Sequence, residues 1–130
     1  MNIFVVNGPN LNFLGKREPE IYGNKSYNDL VNFILAFGEM AKIDFEVYQS
    51  NSEGEIIDII QNNYQRFDAL VINPAAYTHY SYAIYDCIKS IDIPAVEVHL
   101  SNVDAREEFR KKSVIEPACV GKFYGKGFNS

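Results

Sequence analysis

The chain has 130 residues, 47% of them hydrophobic, and a formal net charge of −5 at neutral pH. That length fits one domain, residues 1–130, able to bury roughly two-thirds of its unfolded surface without a disulfide or metal staple. The acidic balance argues against nucleic acid as the main partner, no apolar run approaches the roughly 20 residues of a membrane span, and Met1-Asn2-Ile3-Phe4 lacks a basic region before an apolar core.

In chain order, Ile3-Phe4-Val5-Val6 is a short continuous apolar run, the mark of a strand buried on both faces. A long loop rich in Gly, Pro and Asn follows. Ser26 starts a helix with Asp29 in its first turn and an apolar face of Leu30, Phe33, Ile34, Phe37 and Ala41. Phe45-Glu46-Val47-Tyr48 is the second strand. Ser52 and Glu55 make a capping-box pair, opening a helix whose face is Ile56, Ile59, Ile60, Tyr64 and Phe67. Ala69–Ile72 is the third strand and Asn73–Thr78 a loop. Ser81–Ile91 reads as a helix with Ala83, Ile84, Cys87, Ile88 and Ile91 inward. Pro94–Val98 is the fourth strand, with Pro94 at a first position where its missing N–H is tolerated. Ala105–Lys111 reads as a short helix and Cys119–Tyr124 as a weak fifth strand.

Strands alternating with helices imply βαβ units and a parallel sheet. Right-handed crossovers then give an α/β, doubly wound, five-stranded parallel sheet in the flavodoxin-like order 2-1-3-4-5. Ligands of such folds bind outside the carboxyl ends of the strands, where three polar segments fall: 7–23, 73–79 and 97–102.

The first segment is longer than the about 2–6 residues usual for a βα connection, and long ordered loops tend to be functional. It has neither Gly-x-Gly-x-x-Gly nor a P-loop, so it is no nucleotide cradle. It carries Arg17 and Tyr22. A phenol is a poor base at neutral pH, but a nearby guanidinium favours the phenolate. The second segment offers Asn73 and His79, leading to Asp86. In the third, strand period puts Glu97 and His99 on one side. A carboxylate beside a histidine fixes its tautomer and suits it to general-acid work. Ser101 adds a hydroxyl, and Arg106 and Arg110 stand one helical turn apart. Each feature alone is more often ordinary: a packed tyrosine, a surface Glu-x-His pair, a solvated helix with Glu107 and Glu108. Their joint location at one sheet end suits acid–base chemistry on a polyhydroxylated anion. Two cysteines without Cys-x-x-Cys spacing and two histidines argue against structural zinc. Cys87 and Cys119 are expected as buried free thiols in a reducing cytosol.

Together these residues resemble type II 3-dehydroquinate dehydratases over nearly the whole chain. The shared motifs are residues 7–12, Gly15 with Arg17-Glu18-Pro19, Tyr22-Gly23, Gln49-Ser50-Asn51 with Glu53-Gly54-Glu55, Asn73-Pro74, Thr78-His79, residues 97–102, and Arg106-Glu107-Glu108-Phe109-Arg110. The resemblance implies a cofactor-free hydro-lyase that converts 3-dehydroquinate to 3-dehydroshikimate by anti elimination through an enolate. It implies Tyr22 as the base, Arg17 lowering the Tyr22 pKa on a lid, Asn10 supporting the enolate through a water, and His99, oriented by Glu97, as the acid. Asn73, His79 and Arg110 would hold substrate hydroxyls, Leu100 and Ser101 its carboxylate, and Asp86 a neighbouring subunit's site. A cytoplasmic homo-oligomer, trimers grouped into a dodecamer, is implied as well.

Three departures from that pattern stand out. Ala75 occupies a usual glycine position, Tyr80 replaces a usual threonine, and the chain stops at Ser130 where the family usually continues into a final helix. One sheet face is then expected to lack cover. The competing readings are a non-catalytic flavodoxin-like module for a small anion and an inactive homologue kept for assembly.

Overall fold

The computed structural model of the protein describes residues 1–16, 24–101, 107–110 and 112–130. Five strands form one parallel sheet: β1 (Asn2–Asn7), β2 (Asp44–Gln49), β3 (Ala69–Asn73), β4 (Ala95–His99) and β5 (Gly121–Tyr124). Their spatial order is 2-1-3-4-5, as expected. Helices α1 (Tyr27–Ala41), α2 (Glu53–Asn63) and α3 (Tyr82–Ser90) make the crossovers.

Strand alternation sorts the sheet residues into two faces. Phe4, Val6, Leu70, Ile72 and Ala95 pack against Ile56 and Ile60 of α2 and Ile84, Cys87 and Ile88 of α3, with Ile115 and Val114 closing one end. This is the main core, and complete burial of an isoleucine side chain is worth about 1.5–3 kcal/mol. On the other face α1 buries Leu30, but Phe33 and Phe37 remain 39% and 52% exposed. They border an apolar groove of about 260 Å³ over Val5, Val71 and Val98, with Phe128 at its rim. This face is thus only partly covered among the described residues.

Local chemistry explains the helix starts. Ser26 and Asp29 form a full capping box on α1. Ser52 caps α2 through the Glu55 N–H, but the expected reciprocal half is missing, because the Ser52 N–H donates to Ser50 Oγ at 3.0 Å. Ser81 caps α3. Ala83, expected inward, is exposed on α3, as is Ala41 at the end of α1. The fourth strand starts at Ala95 rather than Pro94, whose carbonyl receives the Leu70 N–H.

Two loop readings change. Segment 73–78 is not irregular, since Ala75–His79 forms a 3-10 turn. Of the expected helix Ala105–Lys111, residues 105, 106 and 111 lie outside the described residues, and Glu108–Arg110 is a single 3-10 turn. Ala75 adopts φ +52°, a left-handed conformation that costs a residue with a Cβ roughly 1 kcal/mol. The Asn73 Oδ1 holds it by accepting the Ala75 N–H at 3.1 Å.

Candidate active site

The register brings Gln49, Asn7 and Asn73 abreast at the carboxyl edge of the sheet. The loop after β1 is anchored there. Gly8 donates its N–H to the Asn73 carbonyl at 2.7 Å. A Cβ on Gly8 would lie 2.7 Å from the Pro74 carbonyl oxygen, so only glycine permits this approach. Asn10 follows in the left-handed region, φ 69°, which asparagine tolerates better than most residues. Its N–H donates to Asn51 Oδ1 at 2.9 Å, and Gln49 Nε2 reaches the Gly8 carbonyl and Asn51 Oδ1, each at 3.1 Å. The Asn10 side chain is left at the exposed surface of this edge.

Glu97 and His99 do share a face of β4, but they are no surface pair. Glu97 is fully buried and His99 is 5% exposed. The His99 Nε2 lies 2.5 Å from Glu97 Oε2. Thr78 Oγ1 donates to the same oxygen, and Ser113 Oγ donates to Glu97 Oε1 at 2.9 Å. Burial raises the Glu97 pKa, yet the hydrogen bonds from His99, Thr78 and Ser113 outweigh it and hold the carboxyl below its ordinary range. An ionised carboxylate only accepts, so the shared hydrogen belongs to Nε2, and Nδ1 is the nitrogen turned away from Glu97.

The other expected residues differ in burial and contacts. Asn73 is buried, as is Ser101, while Leu100 packs half-buried against the Leu11, Leu14 and Leu30 cluster. His79 is half-buried, its Nδ1 lies 2.7 Å from the Lys112 carbonyl, and its ring meets Phe109 edge-on. Burial, first, and the positive charge of Arg110 lower the His79 pKa, leaving a neutral ring suited to polar contact. Arg110 lies beside Phe109 and pairs with Glu107 at 2.7 Å. Asp86 is exposed on α3. Arg17, Tyr22 and Arg106 lie outside the described residues. Tyr80 is 60% exposed with its ring against Tyr77.

Competing chemistries find little support. Burial pushes the Cys87 thiol up to about 11. Cys119, half-buried rather than buried and two residues ahead of β5, is pushed up to about 12 by burial and by Glu97 and Glu116. Neither is a thiolate at neutral pH. Among the described residues no cluster of three His, Cys, Asp or Glu side chains is placed to hold a metal ion, and no helix is long and apolar enough to cross a membrane. Burial raises the Tyr27 phenol and the hydrogen bond to Glu46 raises Tyr48, so neither serves as a phenolate.

Residues 1–130 match the family model "Dehydroquinase class II". The chain belongs to the class II dehydroquinases. The 3-dehydroquinate dehydratase of Clostridium acetobutylicum is 60% identical over 128 residues, covering 98% of this chain and 89% of that protein. That of Caldicellulosiruptor bescii is 55% identical, with 98% and 89% covered. The crystal structure of the type II dehydroquinase from Butyrivibrio crossotus superposes with a TM-score of 0.97 at 56% identity, covering 99% of this chain and 90% of that one. The dehydroquinase frame carries two residues that the sequence reading did not assign to the site. Thr78 stood beside His79 in a shared motif, but Ser113 carried no signal, because its importance comes from a side chain 16 residues away in sequence.

Proposed function

We propose that this class II dehydroquinase eliminates water from 3-dehydroquinate with Tyr22 as base and His99 as acid. Its family makes it a 3-dehydroquinate dehydratase, a hydro-lyase forming 3-dehydroshikimate in the shikimate pathway. The observation that carries the acid assignment is the buried Glu97–His99 pair at the carboxyl edge. Glu97 holds the Nε2–H, and the imidazolium, protonated on Nδ1 as well, gives its Nδ1 proton to the departing hydroxyl and returns to the neutral Nε2–H tautomer. Tyr22, its phenolate favoured by Arg17, removes the proton next to the ketone, and Asn10 supports the enolate through a water. Asn73, His79 and Arg110 take substrate hydroxyls, and Leu100 and Ser101 receive the carboxylate. No cofactor is invoked, since proton transfer by positioned side chains contributes about 10²–10⁴-fold per group.

Residues 1–130 act as one catalytic unit in a cytoplasmic homo-oligomer, trimers assembled into a dodecamer. The exposed Asp86 reaches from α3 to a neighbour's site. The test is turnover followed by the enone absorbance of the product. Tyr22→Phe is expected to abolish it while the far-ultraviolet dichroism stays unchanged. Full turnover by that variant sinks the assignment of the base. Sizing chromatography checks the assembly.

A further inference from the structure

We propose that Ser113 is a positioning residue of the catalytic acid: its hydroxyl, together with that of Thr78, locks the Glu97 carboxylate in the one orientation that keeps His99 in its Nε2–H tautomer. This rests on the reading of His99 as the acid.

The proton count carries the inference. Ser113 Oγ already accepts the Glu116 N–H at 3.0 Å and the Ile115 N–H at 3.3 Å. A hydroxyl has two acceptor sites and one proton, so Ser113 is left as a donor, its proton facing Glu97 Oε1 at 2.9 Å and Oε2 at 3.2 Å and Thr78 Oγ1 at 2.8 Å. Thr78 Oγ1 spends its own proton on the carboxylate and can only accept from Ser113. Two hydroxyls and one imidazole therefore converge on an acceptor with no water-exposed side.

The main chain fixes both hydroxyls. The Val114 N–H donates to the Thr78 carbonyl at 2.8 Å, and the Lys112 carbonyl meets His79 Nδ1 at 2.7 Å. Segment 112–116 and the turn Ala75–His79 thus form a rigid cage around one carboxylate. Other titratable groups facing the pair are His79 and Arg110 from the packed turns and Cys119 ahead of β5. None of these makes a hydrogen bond to Glu97 among those described.

The absence of Ser113 would leave Oε1 desolvated and unpaired, so the carboxylate rotates to find a donor and the tautomer of His99 becomes mixed. The test uses the full chain. Imidazole 15N shifts are recorded without substrate, and the two histidines are told apart with His79→Gln. Ser113→Ala is expected to show mixed tautomers and a kcat lowered about tenfold, the size of one hydrogen bond to a charged group, with KM unchanged. Ser113→Thr restores both readouts. If Ser113→Ala fails to fold, Thr78→Val is read the same way. An unchanged His99 tautomer in a folded Ser113→Ala protein overturns the proposal, as does equal loss of kcat in Ser113→Thr. The acid assignment fails separately, if His99→Ala keeps full turnover while Ser113→Ala still shows the mixed His99 tautomer.

Discussion

The two faces of the sheet are built from similar residues and end up in different states. One face seals Phe4, Val6, Leu70 and Ile72 beneath α2 and α3, each at most a trace exposed. The other lays Val5, Val71 and Val98 beneath α1 alone, among the described residues, with an open apolar groove beside it. The sealed face also carries Glu97 and His99 at its carboxyl end. Sealing is what makes that pair consequential. A carboxylate out of water is costly unless every lone pair is matched, and among the described residues no buried side-chain nitrogen or oxygen lacks a partner. The same Glu-x-His spacing on the open face would be a hydrated pair with little hold on either ring or carboxylate.

The largest effect expected from breaking the sealed face is chemical. His99→Ala is expected to lower kcat by about 10²–10⁴-fold with the fold retained, measured by enone absorbance and circular dichroism. Next comes packing. Ile60→Ala, at a fully buried site, is expected to cost about 2–5 kcal/mol in urea unfolding, whereas Phe37→Ala on the half-exposed groove is expected to cost well under about 2. Equal costs would mean that the groove is closed in solution.

A third test uses acid. The Glu97 carboxyl sits below its ordinary value of 4.5 in the folded chain. Its stabilisation is therefore fully present above that value and is lost as pH falls through the lowered one. Unfolding titrations below pH 4.5 should show a slope that Glu97→Gln reduces, and an unchanged slope would show that the site is hydrated. The smallest effect belongs to neither face. Ala75→Gly relieves a left-handed alanine but loosens the unfolded chain, so a net gain of only about 0.5 kcal/mol is expected in urea unfolding.

Much of this molecule was legible in its residues. Short apolar runs and period-3.6 faces located the five strands and three α-helices found among the described residues, and Ser26 with Asp29 marked the start of α1 to the residue. The failures are local, and near neighbours explain the first and the last of them. The Ser52 capping box is incomplete because Ser50 competes for its N–H, and Ala83 faces water although its neighbour Ile84 is buried. The short helix expected after Ala105 contracts to one described 3-10 turn whose Arg110 is tied to Glu107.

The sequence by itself determined the alternation of elements, the sheet order and the pairing of Glu97 with His99 on one side of a strand. These rest on spacing between near neighbours and on motifs that stay together along the chain. Only the tertiary structure decided that Glu97 is dry, that Thr78 and Ser113 close around it, and that one sheet face keeps an open groove. Desolvation and hydrogen-bond satisfaction depend on segments 16 and 19 residues from Glu97 folding onto it, and spacing within a strand carries no record of them.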